Sequence, residues 1–320
     1  MLANCLAALE TQTFRDFEAC VVDNSGKQVA REVAGRLRGV SVIENRHNAG
    51  FGAAVNQAFR RSKGRFCATL NDDAVADRNW LACLVQALEA RPEAGMCASQ
   101  VRLAGGIRLD SAGMLISGDA SSKQRGNLQP VDQYRTAAEV LFPSGSAALY
   151  RRDMLDQIGL FDEAFFLYCE DTDLGLRARW AGWTCLYVPD AIVEHHYSQT
   201  AGAVSPLKAY YVERNRLFVL LKNFPAGLLL RAPGFTAARY FWHLLSVVRG
   251  TGSAARYHAE HAGVVEMAYM AARAHAVLLK HARRLLRQRR EIRGTARITV
   301  PQFEQLIADH FISPREVAEL

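Results

Sequence analysis

No uninterrupted apolar run in this chain approaches the ~20 residues that a bilayer-spanning helix needs. The nearest stretch, Phe218 to Val248, is broken by Lys222, Pro225, Arg231, Pro233 and Arg239, so spanning is not expected there, although shallow burial stays open. The start, Met1-Leu2-Ala3-Asn4, lacks a basic region leading into an apolar stretch and a cleavage site, so a secretory signal is not expected either. The seven cysteines (5, 20, 67, 83, 97, 169 and 185) include no C-x-x-C pair and share no regular spacing. That speaks against a disulfide frame or a zinc site and fits reduced thiols in a cytosolic protein. No internal repeat is visible.

What is present suits a packed core: of 320 residues, 50% are apolar and 22% charged. The net charge of +7 is unevenly placed. Residues 207–320 hold 18 basic and 8 acidic side chains, whereas residues 1–206 hold 21 and 24. The basic excess therefore belongs to the tail.

Leu2, Leu6 and Leu9 recur at helical spacing, so the chain is expected to open in a helix ending near Gln12-Thr13. Strands are expected over Glu18–Val22, Val40–Glu44, Phe66–Leu70 and Met96–Val101, with helices over about 28–38, up to Arg61, and over Trp80–Ala90. Strands alternating with helices of ~10–15 residues predict a mostly parallel α/β sheet. Residues 104–139 read as loops or a weak hairpin. A helix through Met154–Ile158, an acidic loop opening a helix within Asp162–Trp183, and a strand at Thr184–Val188 follow, and helix dominates from Tyr210. In such sheets ligands sit beyond the carboxyl ends of strands. Asp23-Asn24 and Asn71-Asp72-Asp73 both fall there.

Asn71-Asp72-Asp73 follows an apolar strand, where a carboxylate can hold a hard cation with phosphate oxygens completing its shell. Capping the next helix explains the same acids. Glu170-Asp171-Thr172-Asp173 sets three acids in four residues behind the aromatic run Phe165-Phe166-Leu167-Tyr168. They favour a helix N-terminus, yet their crowding costs repulsion unless something uses them, and a general base is one such use. In Glu194-His195-His196-Tyr197 two adjacent strand histidines face apart, so at most one serves a site. Asn48-Ala49-Gly50-Phe51-Gly52 lacks the third glycine of a dinucleotide fingerprint, which disfavours a nicotinamide enzyme.

In this order, these segments resemble family 2 glycosyltransferases of the GT-A fold. The resemblance covers about residues 4–225 and includes Gly159-Leu160-Phe161-Asp162-Glu163, Arg177 and Arg214-Asn215. Leu70-Asn71-Asp72-Asp73 with Phe161-Asp162-Glu163 and Glu170-Asp171-Thr172-Asp173-Leu174 is most similar to rhamnosyltransferase-type members from cell-surface polysaccharide pathways. The resemblance implies an inverting transferase that moves a sugar from a nucleotide diphosphate donor to a hydroxyl of a glycan or lipid-linked glycan. It implies donor contacts at Asp23, Asn24, Asn48, Gly50 and Asp72, and Mg²⁺ or Mn²⁺ held by Asp73 and by His195 rather than His196. It also implies Asp171 as the base and Glu170 beside it toward the acceptor. The expected organisation is a catalytic domain at 1–206 and a basic helical C-terminal extension at 207–320.

Family members begin with a mid-sheet strand ahead of the first helix, and this sequence starts inside that helix. The expectation is a truncated start, with Glu18–Val22 and Phe66–Leu70 as the missing strand's neighbours; the upstream DNA checks it. A relative that binds donor or scaffolds without transferring is the alternative. Within 271–297, nine Lys and Arg accompany the stripe Val277, Leu278, Leu285 and Leu286. Such a helix suits peripheral contact with the inner face of the cell membrane, or packs on the catalytic domain. Nucleic-acid binding is not expected, because no aromatic platform or recognition motif accompanies the charge.

Overall fold

The computed structural model describes residues 1–34, 39–196, 205–250 and 264–320. The chain gathers into two compact units that interleave along the sequence. One comprises Met1–Met114, Gln124–Phe166 and Gly182–Ser198; the other comprises Leu115–Lys123, Leu167–Ala181 and Gln199–Leu320.

The first unit opens α1 (Leu2–Glu10), β1 (Ala19–Asp23), α2 (Ala30–Ala34), β2 (Val40–Glu44), α3 (Phe51–Arg61) and β3 (Phe66–Leu70). There follow β4 (Ala74–Ala76), α4 (Trp80–Ala90), β5 (Ala94–Leu103) and β6 (Leu109–Ser111). After the short hairpin β7 (Met114–Ile116) and β8 (Ser122–Gln124), most of which belongs to the second unit, come β9 (Ala138–Glu139), β10 (Ala147–Arg151), α5 (Arg152–Ile158) and, later, β11 (Thr184–His195). The part of the expected 28–38 helix beyond Ala34 lies outside the described residues.

The main sheet runs β3-β10-β5-β11-β4, with β6 beside β5 and β9 beside β11. It is mixed rather than mostly parallel. β5 and β11 run parallel, as do β1 and β2 in their own two-stranded sheet, and the other pairings of the main sheet are antiparallel. The alternation of strand and crossover helix that predicts parallel pairing holds only as far as β5. The segments after it return by hairpins and loops, which allow antiparallel neighbours. β1 and β3 are not paired with each other.

β5 is buried on both faces from Ala94 to Val101, as a central strand must be. Trp80, Leu84 and Leu88 of α4, each four residues apart, bury one stripe against this sheet. The indole of Trp80 meets its polar need inside the core by donating to Ser99 Oγ at 2.8 Å.

The second unit is helical: α6 (Glu170–Trp180), α7 (Pro206–Asn223), α8 (Ala226–Arg249), α9 (Val264–Gly294), α10 (Val300–Asp309) and α11 (Pro314–Glu319). Ser205, Thr299 and Ser313 cap α7, α10 and α11 through their hydroxyls, the last two in full capping boxes. Asp173, wholly buried, accepts from Arg177 Nε and Lys222 Nζ at 2.9 Å each and from Asn223 Nδ2 at 3.0 Å, tying the start of α6 to the end of α7. At the other end of α6, Trp180 is sandwiched. Phe303 stacks on it at 4.0 Å, and the Arg293 guanidinium lies 3.3 Å from its ring centre.

A second buried ion network joins the 115–123 excursion to α7 and α8. Arg239 donates to Asp119 Oδ2 at 2.7 Å and to Glu213 Oε2 at 2.9 Å, and Arg216 is paired with Glu213 and bonded to the Asp119 carbonyl at 3.1 Å. Burial alone would raise the two carboxyls, but the guanidinia of Arg239 and Arg216 outweigh it. Asp119 is lowered and Glu213 is brought down to about 2.

Asp173→Ala leaves Lys222 and Arg177 buried without their counter-charge and should cost about 3–5 kcal/mol, measured by urea unfolding. The Glu213 and Asp119 shifts set an acid limb. Groups whose folded pKa is depressed contribute stability that is present above the ordinary carboxylate range and lost as pH falls through the folded values. Urea midpoints should therefore fall between pH 4 and about 2. Arg239→Met should abolish much of that dependence, and an unchanged acid limb in this variant would refute the assignment.

Candidate active site

The sequence candidates form two groups in the first unit and one in the second. The first group lies where β1 and β2 end. Asp23 is buried, and its carboxylate is spent on the turn and helix that follow: Oδ1 accepts from Ser25 N at 2.9 Å and Ser25 Oγ at 2.6 Å, and Oδ2 from Ala30 N at 2.9 Å. Desolvation would raise this carboxyl, but these hydrogen bonds hold it below its usual range. Asn24 staples the glycine loop. Its Nδ2 donates to Asn48 Oδ1 (2.9 Å) and the Gly50 carbonyl (3.2 Å), while its Oδ1 accepts from Ala49 N at 2.9 Å and Asn45 Nδ2 at 3.1 Å.

Asn48 Oδ1 also accepts from Gly50 N at 2.8 Å. Gly50 has φ +89°, and a Cβ there would stand 2.4 Å from the Phe166 carbonyl oxygen, so only glycine fits. Phe51 N donates to that same carbonyl at 2.7 Å. The loop is therefore rigid, with Asn48 exposed at its rim.

The second group is an Asp–His–Asp line. His195 ends β11, 7% exposed, with Nε2 3.0 Å from Asp73 Oδ1 and Nδ1 3.0 Å from Asp110 Oδ2. Desolvation would lower the imidazole, but the hydrogen bonds and charges of Asp110 and Asp73 raise it to about 9. Asp72, next to Asp73 but at the surface, is raised by desolvation and by the Asp73 charge. His196, beyond the strand end, is exposed and stands 3.2 Å from Glu194. Tyr197, the last residue of the motif, lies outside the described residues.

Asp110 escaped the sequence reading. It sits on β6, within the 104–139 stretch expected as loops or a weak hairpin, 85 residues from its partner and buried like its neighbours Leu109 and Ser111.

Among the described residues, no group of three or more His, Cys, Asp or Glu side chains is arranged to hold a metal ion. Two protein ligands with phosphate oxygens completing the shell is nonetheless a common arrangement for hard cations. The 3.0 Å between Asp73 Oδ1 and His195 Nε2 matches the edge of an octahedron built on bonds of ~2.1 Å. Asp110 on Nδ1 leaves Nε2 as the ligand nitrogen, the usual carboxylate–histidine arrangement behind a metal. The donor set fits.

The third group opens α6. Tyr168 and Cys169 have φ +69° and +65°, a conformation that costs non-glycine residues about 1 kcal/mol or more each. It is held by buried Asn215, whose Nδ2 donates to the carbonyls of Leu167 (2.8 Å) and Tyr168 (2.7 Å). The three acids of the motif then meet three environments. Asp173 is ion-paired inside, as above. Glu170 is 6% exposed, its Oε2 has no hydrogen-bond partner, and desolvation with the neighbouring Asp171 charge raises it to about 8. Asp171 is half-buried, its Oδ1 accepting from Thr172 N at 2.7 Å. The carboxyl of Glu170, the residue expected beside Asp171 toward the acceptor, is enclosed in the first turn of α6.

The basic helix is also resolved into two faces. Arg289 and Arg293 of α9 donate to the last carbonyls of α7, at Leu221 (3.1 Å) and Asn223 (3.0 Å), and Arg273 stacks on Tyr210 at 4.4 Å. Those charges serve packing and the negative end of α7. Lys280, Arg283, Arg287 and Arg290 remain outward.

Neighbouring structures place this fold in the GT-A class. The mannosyltransferase PcManGT from Pyrobaculum calidifontis, solved with GDP-Man and Mn²⁺, aligns over 92% of this chain and 81% of its own, with TM-score 0.53 and 17% identity. S. aureus TarS 1–349, solved with UDP-GlcNAc, aligns over 97% and 87%, with TM-score 0.52 and 15% identity. The profile of Glycosyl transferase family 2 matches residues 1–159. The N-acetylglucosaminyl-diphospho-decaprenol L-rhamnosyltransferase of Mycobacterium tuberculosis is 32% identical over 226 residues, 63% of this chain and 73% of that protein. The chain belongs to glycosyltransferase family 2 and is a glycosyltransferase of the rhamnosyltransferase-like kind. No helix among the described residues is long and apolar enough to cross a membrane.

Two substitutions test the geometry. His195→Ala removes a side chain bonded at both ring nitrogens and leaves Asp73 and Asp110 facing each other, so it should lower both stability and sugar transfer. His196→Ala should change either by less than twofold. Equal effects would overturn the distinction. Glu170→Gln mimics the neutral carboxyl. A group whose folded pKa is raised contributes stability below its unfolded value that is lost as pH rises through the folded one. Wild type should therefore weaken toward pH 8, and the variant should not.

Proposed function

We propose that this chain is an inverting transferase that moves a sugar of the rhamnose type from a nucleotide diphosphate to a hydroxyl of a lipid-linked glycan. The observation that carries the reading is the Asp73–His195–Asp110 line beside the exposed Asp72, a donor set suited to a diphosphate-bound cation. The mycobacterial relative, whose name specifies a diphospho-decaprenol acceptor and a rhamnosyl donor group, supports the substrate class, and the Mn²⁺ in PcManGT supports metal use.

Asp73 and His195 would hold Mg²⁺ or Mn²⁺, which when bound neutralises charge on the departing diphosphate. Asp23 and Asn24 set the donor pocket: Asp23 fixes the turn after β1, and Asn24 holds the loop that presents Asn48 and the Gly50 backbone to nucleotide. Asp72 faces the ribose or sugar. Asp171 accepts the proton of the attacking hydroxyl, and one displacement inverts the anomeric carbon. Glu170, whose carboxyl burial and the Asp171 charge push up, stands beside Asp171 toward the acceptor. Catalysis belongs to a domain within 1–206, and the helical extension at 207–320 brings peripheral membrane contact through the outward face of 271–297, in a polysaccharide pathway of the cell envelope.

A positioned carboxylate base contributes about 10²–10⁴-fold in rate. Asp171→Asn should therefore lower transfer by at least about 10² while calorimetric donor affinity survives. Transfer at near wild-type rate would move the base elsewhere. Loss of donor binding as well would mark Asp171 as structural. Chelation or Asp73→Asn should abolish transfer, and undiminished turnover in excess chelator would leave the Asp73 cluster as a cap.

A further inference from the structure

The exposed face of α8 has a composition that its packing does not explain. Its buried face carries Ala232, Arg239 and Ser246, with Arg239 inside the ion network described above. On the opposite side Leu230 is 84% exposed, Phe241 59%, Leu244 51% and Val248 78%. At 100° per residue, Leu230, Phe241 and Val248 fall within about 20° of one line, with Leu244 and exposed Ala237 beside it. From Leu230 to Val248 the stripe runs ~27 Å along the helix. Its flank bears Arg231 and Arg249, both exposed, and the whole helix contains no Asp or Glu.

An apolar stripe edged by arginine and free of acid matches the chemistry of an anionic bilayer surface: acyl chains accept the Leu and Phe side chains, and phosphates attract the guanidinia. A water-facing helix would carry polar side chains there, and a membrane-spanning one would lack Arg231 and Arg239. We propose that α8 is an interfacial membrane helix, seated in the plane of an anionic leaflet through Leu230, Phe241, Leu244 and Val248. The outward cations of α9 then contribute attraction without insertion, because the exposed apolar side chains of that face, Leu279 and Leu286, are interspersed with Lys280, Arg283, Arg287 and Arg290. This deepens the reading above, in which the acceptor is lipid-linked, by naming the surface that meets the lipid.

The test uses the full chain and sedimentation with vesicles of phosphatidylcholine alone or with phosphatidylglycerol, alongside sugar transfer to a short-chain, water-soluble acceptor. Wild type should sediment with the anionic vesicles. Phe241→Ser/Leu244→Ser should weaken that binding by about tenfold or more, while transfer to the soluble acceptor and circular dichroism stay unchanged. Arg231→Glu/Arg249→Glu should weaken it and remove its dependence on phosphatidylglycerol.

The proposal falls if wild type ignores vesicles, or if Phe241→Ser/Leu244→Ser binds as wild type does while Arg283→Glu/Arg290→Glu abolishes binding. It also falls if sedimentation equilibrium shows a dimer that Phe241→Ser/Leu244→Ser dissociates, since the stripe would then cover a second copy. Vesicle binding that behaves as described with no transfer to any acceptor would overturn the proposed activity and leave this surface standing.

Discussion

The buried carboxylate of Asp173 is the constraint on which the second unit depends. A charge with no exposure survives only if paired, and here three partners converge on it from α6 and from the end of α7. That anchor sets the first turn of α6, and Asp171 is two residues away on the same turn. The strained Tyr168-Cys169 backbone in front of it persists because Asn215, also on α7, holds both preceding carbonyls. Helix α7 thus determines where the proposed base stands, although none of its side chains takes part in the chemistry proposed.

Three acids in four residues would repel one another if all were exposed and ionised. The fold separates them by environment rather than by distance. Asp173 is neutralised by Lys222 and Arg177, burial and the Asp171 charge push the Glu170 carboxyl up, and Asp171 is half-buried. The same division appears at the end of β3, where buried Asp73 is paired with His195 and the adjacent Asp72 stays at the surface.

The basic tail illustrates a charge excess with two uses. Arg289 and Arg293 satisfy carbonyls at the end of α7, and Arg293 also covers Trp180, so part of the excess is structural. Only the outward remainder is available to a surface. The most exposed apolar side chains of α8, meanwhile, lie outside the arginine-rich segment that drew attention in the sequence.

Much was determined by local pattern. The strands Val40–Glu44 and Phe66–Leu70 and the helix Trp80–Ala90 follow from apolar runs and periodicity, and their structural bounds are the same. The acids beyond strand ends and the choice between His195 and His196 followed from alternation and from family likeness. Tertiary structure alone decided the rest. Sheet direction after β5 depended on how returning segments pair, and the link from Asp110 to His195, like that from Asp119 to Arg239, joins residues 85 and 120 positions apart. The burial of Glu170 likewise depended on the tertiary enclosure of α6, which is buried at every position but Asp171. Periodicity reports which face of an element is apolar; it carries no information about which distant charge will be buried against it. That is settled only when the chain closes and each buried charge must find a partner.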